Sequence, residues 1–125
     1  MLNISGNGDI KLYSPLDIAC SDIPKPLSDL LHESNGIMET MENPKTKEKM
    51  DIGWIVYPYD RIIQDTQFFI DKYQIDGFVF SDNGCGDPIY MKGDGKIYLL
   101  GCIAGEVFFQ ADSLDDFLGM YFHEG

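Results

Sequence analysis

The sequence predicts an α+β fold: an antiparallel sheet meander of about six strands with helices packed on one side. Three observations carry this. Short apolar or β-branched runs of strand length occur at 37–41, 52–57, 78–80, 89–91, 97–100 and 107–109. The last four are divided by Gly- and Asp-rich turns too short to hold a crossover helix, so their strands must run antiparallel. Three other segments place apolar residues at helical spacing between start and stop signals. The length of 125 residues fits one core, so a single domain over 1–125 is expected, with residues 1–12, containing Gly6 and Gly8, as a loose N-terminal arm.

Each element has a local reason. In Ile23-Pro24-Lys25-Pro26 the prolines stand where a helix accepts them at its start. Leu27, Leu30 and Leu31 follow at helical spacing, and Asn35-Gly36 closes the segment. Ile37 to Met41 and Ile52 to Tyr57 read as strands joined by an exposed polar loop over 42–49. From Asp60 to Tyr73, Ile62, Ile63, Phe69, Ile70 and Tyr73 are assigned to one helical face, with Asp60 placed to cap free amides. The meander then runs through Asp82-Asn83-Gly84, Lys92-Gly93-Asp94-Gly95 and the turn from Gly101 to Gly105. Ser113 offers a hydroxyl cap and Asp115 and Asp116 suit the positive end of a helix dipole, so a terminal helix follows.

Twenty-one acids against nine Lys and Arg give a formal charge of −12. A field of that sign repels phosphate backbones and anionic lipid surfaces, so neither nucleic acid nor membrane is expected as a partner, and basic proteins are favoured. Residues 60–125 carry twelve acids and four bases, residues 1–59 nine and five, which points to the C-terminal half for any working acidic face. The N-terminus lacks the basic and apolar regions of a signal peptide, and no apolar run is long enough to span a bilayer. A cytoplasmic protein with reduced thiols is expected. The three cysteines, Cys20, Cys85 and Cys102, form no Cys-x-x-Cys pair.

No motif commits the chain to catalysis. Cysteines and the histidines His32 and His123 supply the types for a thiolate pair, but no spacing links them. The stretch Asp82 to Asp87 is rich in oxygen donors, yet it lacks the alternation and final Glu of a calcium loop, and its single Gly-x-Gly is no phosphate cradle. It reads as a tight turn. Trp54, Tyr57 and Tyr59 read as core aromatics, and Lys45, Lys47 and Lys49 as a solvated loop. No metal and no cofactor is expected.

Four segments, in order, resemble a known family. Ile23-Pro24 to Asn35-Gly36 is similar to the "LP…L…NG" helix of the SUKH superfamily, and Phe80 to Met91 to its "F…G.GD.Y.." turn. Gly95-Lys96-Ile97-Tyr98 resembles the "G.VY" strand, and Ala111 to Leu118 the "A.SFEEFL" helix, with Leu114 where Phe is common. The resemblance covers about residues 20–122. It implies the same α+β fold, no enzyme activity, and for most bacterial members an immunity protein that neutralises a cognate toxin, often a nuclease.

Acidity fits that implication, since a nuclease presents a basic groove to its substrate. Asp82, Asp87, Asp94, Glu106 and Asp112 form the expected acidic contact set, with Tyr90 and Phe109 as candidate aromatic anchors, core packing being the alternative for each. Two rivals are a regulatory or adaptor domain of the Smi/Knr type and a small hydrolase, which would need paired carboxylates or a Cys-His pair in a pocket.

Overall fold

The computed structural model describes residues 9–122. The chain runs β1 (Asp9–Leu12), α1 (Lys25–Leu31), β2 (Ile37–Glu42), β3 (Lys49–Val56), α2 (Tyr59–Tyr73), β4 (Phe78–Asp82), β5 (Pro88–Met91), β6 (Ile97–Gly101), β7 (Glu106–Ala111) and α3 (Leu114–Phe122). The α+β class and the antiparallel meander are as the sequence predicts. Two features differ. Among the described residues, seven strands form two sheets, β1-β2-β3 and β4-β5-β6-β7, rather than one of about six. Residues 9–12, expected in the loose arm, form β1 and pair antiparallel with β2, Ile10 opposite Glu39; residues 1–8 lie outside the described residues.

The sheets share one core. Leu27 and Leu31 of α1, Ile37, Ile55 and Val56 of the first sheet, Ile62 of α2, Val79, Phe80, Tyr90, Met91 and Ile97 of the second, and Phe117 of α3 form a single buried cluster. At the seam, the Tyr57 amide donates to the Phe80 carbonyl at 2.7 Å, just beyond the end of β3. The Thr66 hydroxyl accepts the buried Val79 amide at 2.9 Å, which ties α2 to β4. A buried amide without a partner is costly, so this bond explains a polar residue in the buried stripe of a helix.

That stripe corrects the predicted face of α2. Ile62 and Thr66 are buried and Phe69 and Tyr73 half-buried, while Ile63 and Ile70 are exposed. The cap is also different: α2 starts after Pro58 with no side-chain cap of its own, and the Asn35 side-chain oxygen accepts the Tyr59 amide at 2.8 Å. Asn35, expected to close α1, stands beyond that helix, which ends at Leu31 with His32 as its C-cap; its side chain caps α2 instead. Its neighbour Gly36 has φ +109°, and a Cβ there would stand 2.9 Å from the Trp54 ring and 3.2 Å from the Pro58 nitrogen. Only glycine combines that backbone angle with that approach. Ser113 caps α3 as expected, its hydroxyl accepting the Asp116 amide at 3.0 Å.

Candidate partner-binding surface

Antiparallel order sorts the predicted contact residues by end of the second sheet. β4 and β6 finish where β5 and β7 begin, so Asp82, Asp87 and Glu106 share one end. The turn between β5 and β6 and the exit of β7 lie at the other, with Asp94, Asp112, Lys92 and Lys96. The five residues of β6 separate the two ends by roughly 14 Å at strand rise. The expected acidic set is therefore two groups, one free of lysines in its turns and one of mixed sign.

At the acidic end the carboxylates build the turn. Asp82 Oδ1 accepts the Gly84 amide at 2.7 Å, and Asn83 Oδ1 accepts the Cys85 and Asp87 amides at 2.9 and 3.2 Å. Asp87 Oδ1 accepts the Cys102 amide at 3.1 Å, joining this turn to the β6–β7 hairpin. Asp82 Oδ2 accepts the Tyr57 hydroxyl at 2.6 Å, and the Arg61 guanidinium lies 3.9 Å above the Tyr57 ring. Burial, then the bond to Asp82, pushes the Tyr57 phenol far above its ordinary range. Asp82 and Asp87 thus contribute a negative field whose bonding capacity is largely committed within the fold. Asp94 likewise accepts the Lys96 amide of its own turn, at 3.0 Å.

The aromatic pair separates more sharply. Tyr90 is 2% exposed. It lies on β5 with neighbours on both sides, stacked 6.0 Å from Tyr98, and burial raises its phenol pKa. As a surface anchor it is ruled out: it is a core residue, because β5 is covered on both faces. Phe109 is 55% exposed, on the terminal strand of the sheet. Its ring packs edge-on against Tyr98 at 5.7 Å, opposite it in the register, which holds the side chain in place without covering it.

β7 also holds contact candidates that the sequence reading missed. Val107 is 50% and Phe108 46% exposed, and Ile103 at the hairpin tip is fully exposed. Successive strand residues face opposite sides, so three half-exposed apolar residues in a row mean that neither face of β7 is covered. The run Val107-Phe108-Phe109 gave no warning, since a short continuous apolar run reads alike in an edge strand and in a buried one.

Elsewhere, folding brings Cys20 within 4.0 Å of His32 Nε2, a pair the sequence did not link. The same nitrogen lies 2.9 Å from the Ile18 carbonyl, which can only accept, so Nε2 carries the proton and cannot serve Cys20 as a base. Cys20 is buried and contacts the Ser28 hydroxyl at 3.1 Å. Cys85 is exposed in its turn and Cys102 half-buried; His123 lies outside the described residues. Trp54 packs on Tyr13 at 5.3 Å and the Tyr59 hydroxyl donates to Asp22. Among the described residues, no His, Cys, Asp or Glu group of three or more is arranged to hold a metal, and no helix is long and apolar enough to cross a membrane.

With this geometry in place, comparison with known families is decisive on one point: the model of the SMI1 / KNR4 family (SUKH-1) matches residues 20–120. The chain belongs to that family. The matched SUKH-1 region spans every element from α1 to β7 and most of α3, and leaves out β1. It includes Asn35 and Gly36, which organise the start of α2, and the carboxylate-built turn 82–87. No curated protein and no solved structure matches the chain.

Proposed function

We propose that this SUKH-1 chain is an immunity protein that binds a cognate bacterial toxin domain in the cytoplasm and neutralises it by occlusion, without chemistry of its own. One observation carries the reading: an uncovered apolar strand, β7, starts beside an acidic sheet end. Domains of the family are generally immunity or regulatory proteins without enzyme activity, which supports the same class. The net charge of −12 would steer the chain to a basic surface such as a nuclease groove, while Phe108 and Phe109 would provide the buried contacts that slow dissociation.

A regulatory interaction domain is the second reading. Met41 and Met50, opposite each other on β2 and β3, and Ile52 are exposed on the first sheet, which supports a second docking area of the kind an adaptor needs.

The deciding experiment co-expresses the chain with the toxic C-terminal domain of a secreted polypeptide encoded beside it. Rescued growth and a one-to-one complex that weakens with salt are expected. Intact toxicity with no complex would overturn the reading and favour the adaptor.

A further inference from the structure

We infer that the partner is received by strand addition: an extended segment with alternating apolar residues and Lys or Arg at its ends pairs with the outer edge of β7 and lengthens the sheet. This rests on the reading of the chain as a toxin-binding protein and names the way in which that partner is held.

β7 is the last strand in the order β4-β5-β6-β7, and among the described residues no strand lies beyond it. Edge strands are normally protected by lysine, proline, brevity or a covering element. β7 has six residues, Glu-Val-Phe-Phe-Gln-Ala, with no lysine or proline. The one irregularity is a register shift between Ile97 and Tyr98, across from Gln110, which leaves the run from Glu106 to Phe109 regular. Both faces of that run are uncovered, so an added strand would find side-chain contacts on each: Phe109 and Val107 on one, Phe108 on the other.

Charge selects the occupant. Residues 103–116 contain Glu106, Asp112, Asp115 and Asp116 and no base. A second copy pairing β7 to β7 would set these acids against their equivalents, within an assembly of two chains each at −12. A strand ended by cations would meet Glu106 at one end of β7; at the other it would meet Asp112 within the group that Lys92 and Lys96 make of mixed sign, so the Glu106 end carries the selection. Basic ends and an apolar middle are therefore the complementary chemistry.

The test titrates the isotope-labelled full chain with the peptide Lys-Val-Thr-Val-Thr-Val-Lys at millimolar concentration, following amide shifts and hydrogen exchange by NMR. Slowed exchange within 106–111 is expected, with binding about fivefold to tenfold weaker when glutamates replace the lysines. Loss of binding in Phe108→Lys, with an unchanged spectrum away from β7, is expected too. No response at 106–111, or a response elsewhere, would overturn strand addition. The amides of 106–111 that bond β6 are protected in any case; protection of the outward-facing ones in the free chain would overturn it as well, because the edge would already be covered, and a dimer mass would then identify a second copy. Growth rescue reports separately: rescue without peptide binding leaves the immunity reading standing and removes strand addition, and the reverse result removes the immunity reading alone.

Discussion

β5 and β7 belong to the same sheet, separated by β6 alone, and are built from similar residues: Pro-Ile-Tyr-Met and Glu-Val-Phe-Phe-Gln-Ala. All four residues of β5 are buried, and the first four of β7 are exposed. Tyr90 and Phe109 even contact the same ring, Tyr98, from its two sides. What differs is rank in the strand order. A central strand has neighbours on both edges and layers over both faces, so its aromatic residues supply cohesion. A terminal strand presents the same residue types to solvent, where they are available to a partner.

The largest effect should therefore follow a change in β5. Tyr90→Ala removes a buried ring and should cost about 3–5 kcal/mol in urea unfolding. A loss comparable to that of a surface substitution would break the contrast. Next comes Gly77→Ala, whose Cβ would meet the Met91 carbonyl oxygen at 2.5 Å and the Tyr90 ring at 2.8 Å. Displacing β5 in this way should cost about 1–3 kcal/mol, read from the unfolding midpoint.

Tyr57→Phe probes the acidic end. Loss of the hydroxyl bond to Asp82 should cost about 1–2 kcal/mol at neutral pH, below the full value for a charged acceptor because Asp82 is partly solvated. The pH dependence has a defined sign. An unfolded tyrosine titrates near about 10. The Tyr57 phenol titrates higher in the fold, so its contribution is complete below that pH and falls as pH rises toward the folded value. Wild-type stability should thus decline more steeply above pH of about 10 than that of Tyr57→Phe; parallel curves would show that burial and the bond to Asp82 together do not hold the proton. The smallest stability effect belongs to β7: Phe109→Ala should change unfolding by no more than about 0.5–1 kcal/mol.

Much of the fold was legible because local signals agreed with it. The apolar runs, Pro near the start of α1, Ser113 at α3 and the glycine-rich turns each specify their element within a few residues. β1 was not legible: Asp9-Ile10-Lys11-Leu12 alternates over only four residues, and its partner β2 lies beyond α1. The division into two sheets was hidden because it depends on how β3 and β4 meet across α2, where the Tyr57 amide bonds the Phe80 carbonyl. Asn35 reads locally as a helix stop, but α1 ends earlier, at Leu31; the task Asn35 has, capping α2, exists only in three dimensions. At the candidate surface, counting strands through the meander already separates Asp94 and Asp112 from Asp82, Asp87 and Glu106, a signal present in the sequence. No such count tells buried Tyr90 from exposed Phe109, because that follows from which strand ends the sheet.

On the proposed reading the partner meets β7, with its two exposed aromatic residues, and not β5, whose one aromatic residue is buried. The most direct measurement of this is a calorimetric titration of the toxin domain from the co-expression experiment with wild type and Phe109→Ala, at low and high salt. Affinity at least about tenfold weaker in the folded variant, with wild-type binding falling as salt rises, is the result expected. Unchanged affinity in Phe109→Ala with no salt dependence would contradict the account and place the interface elsewhere on the molecule.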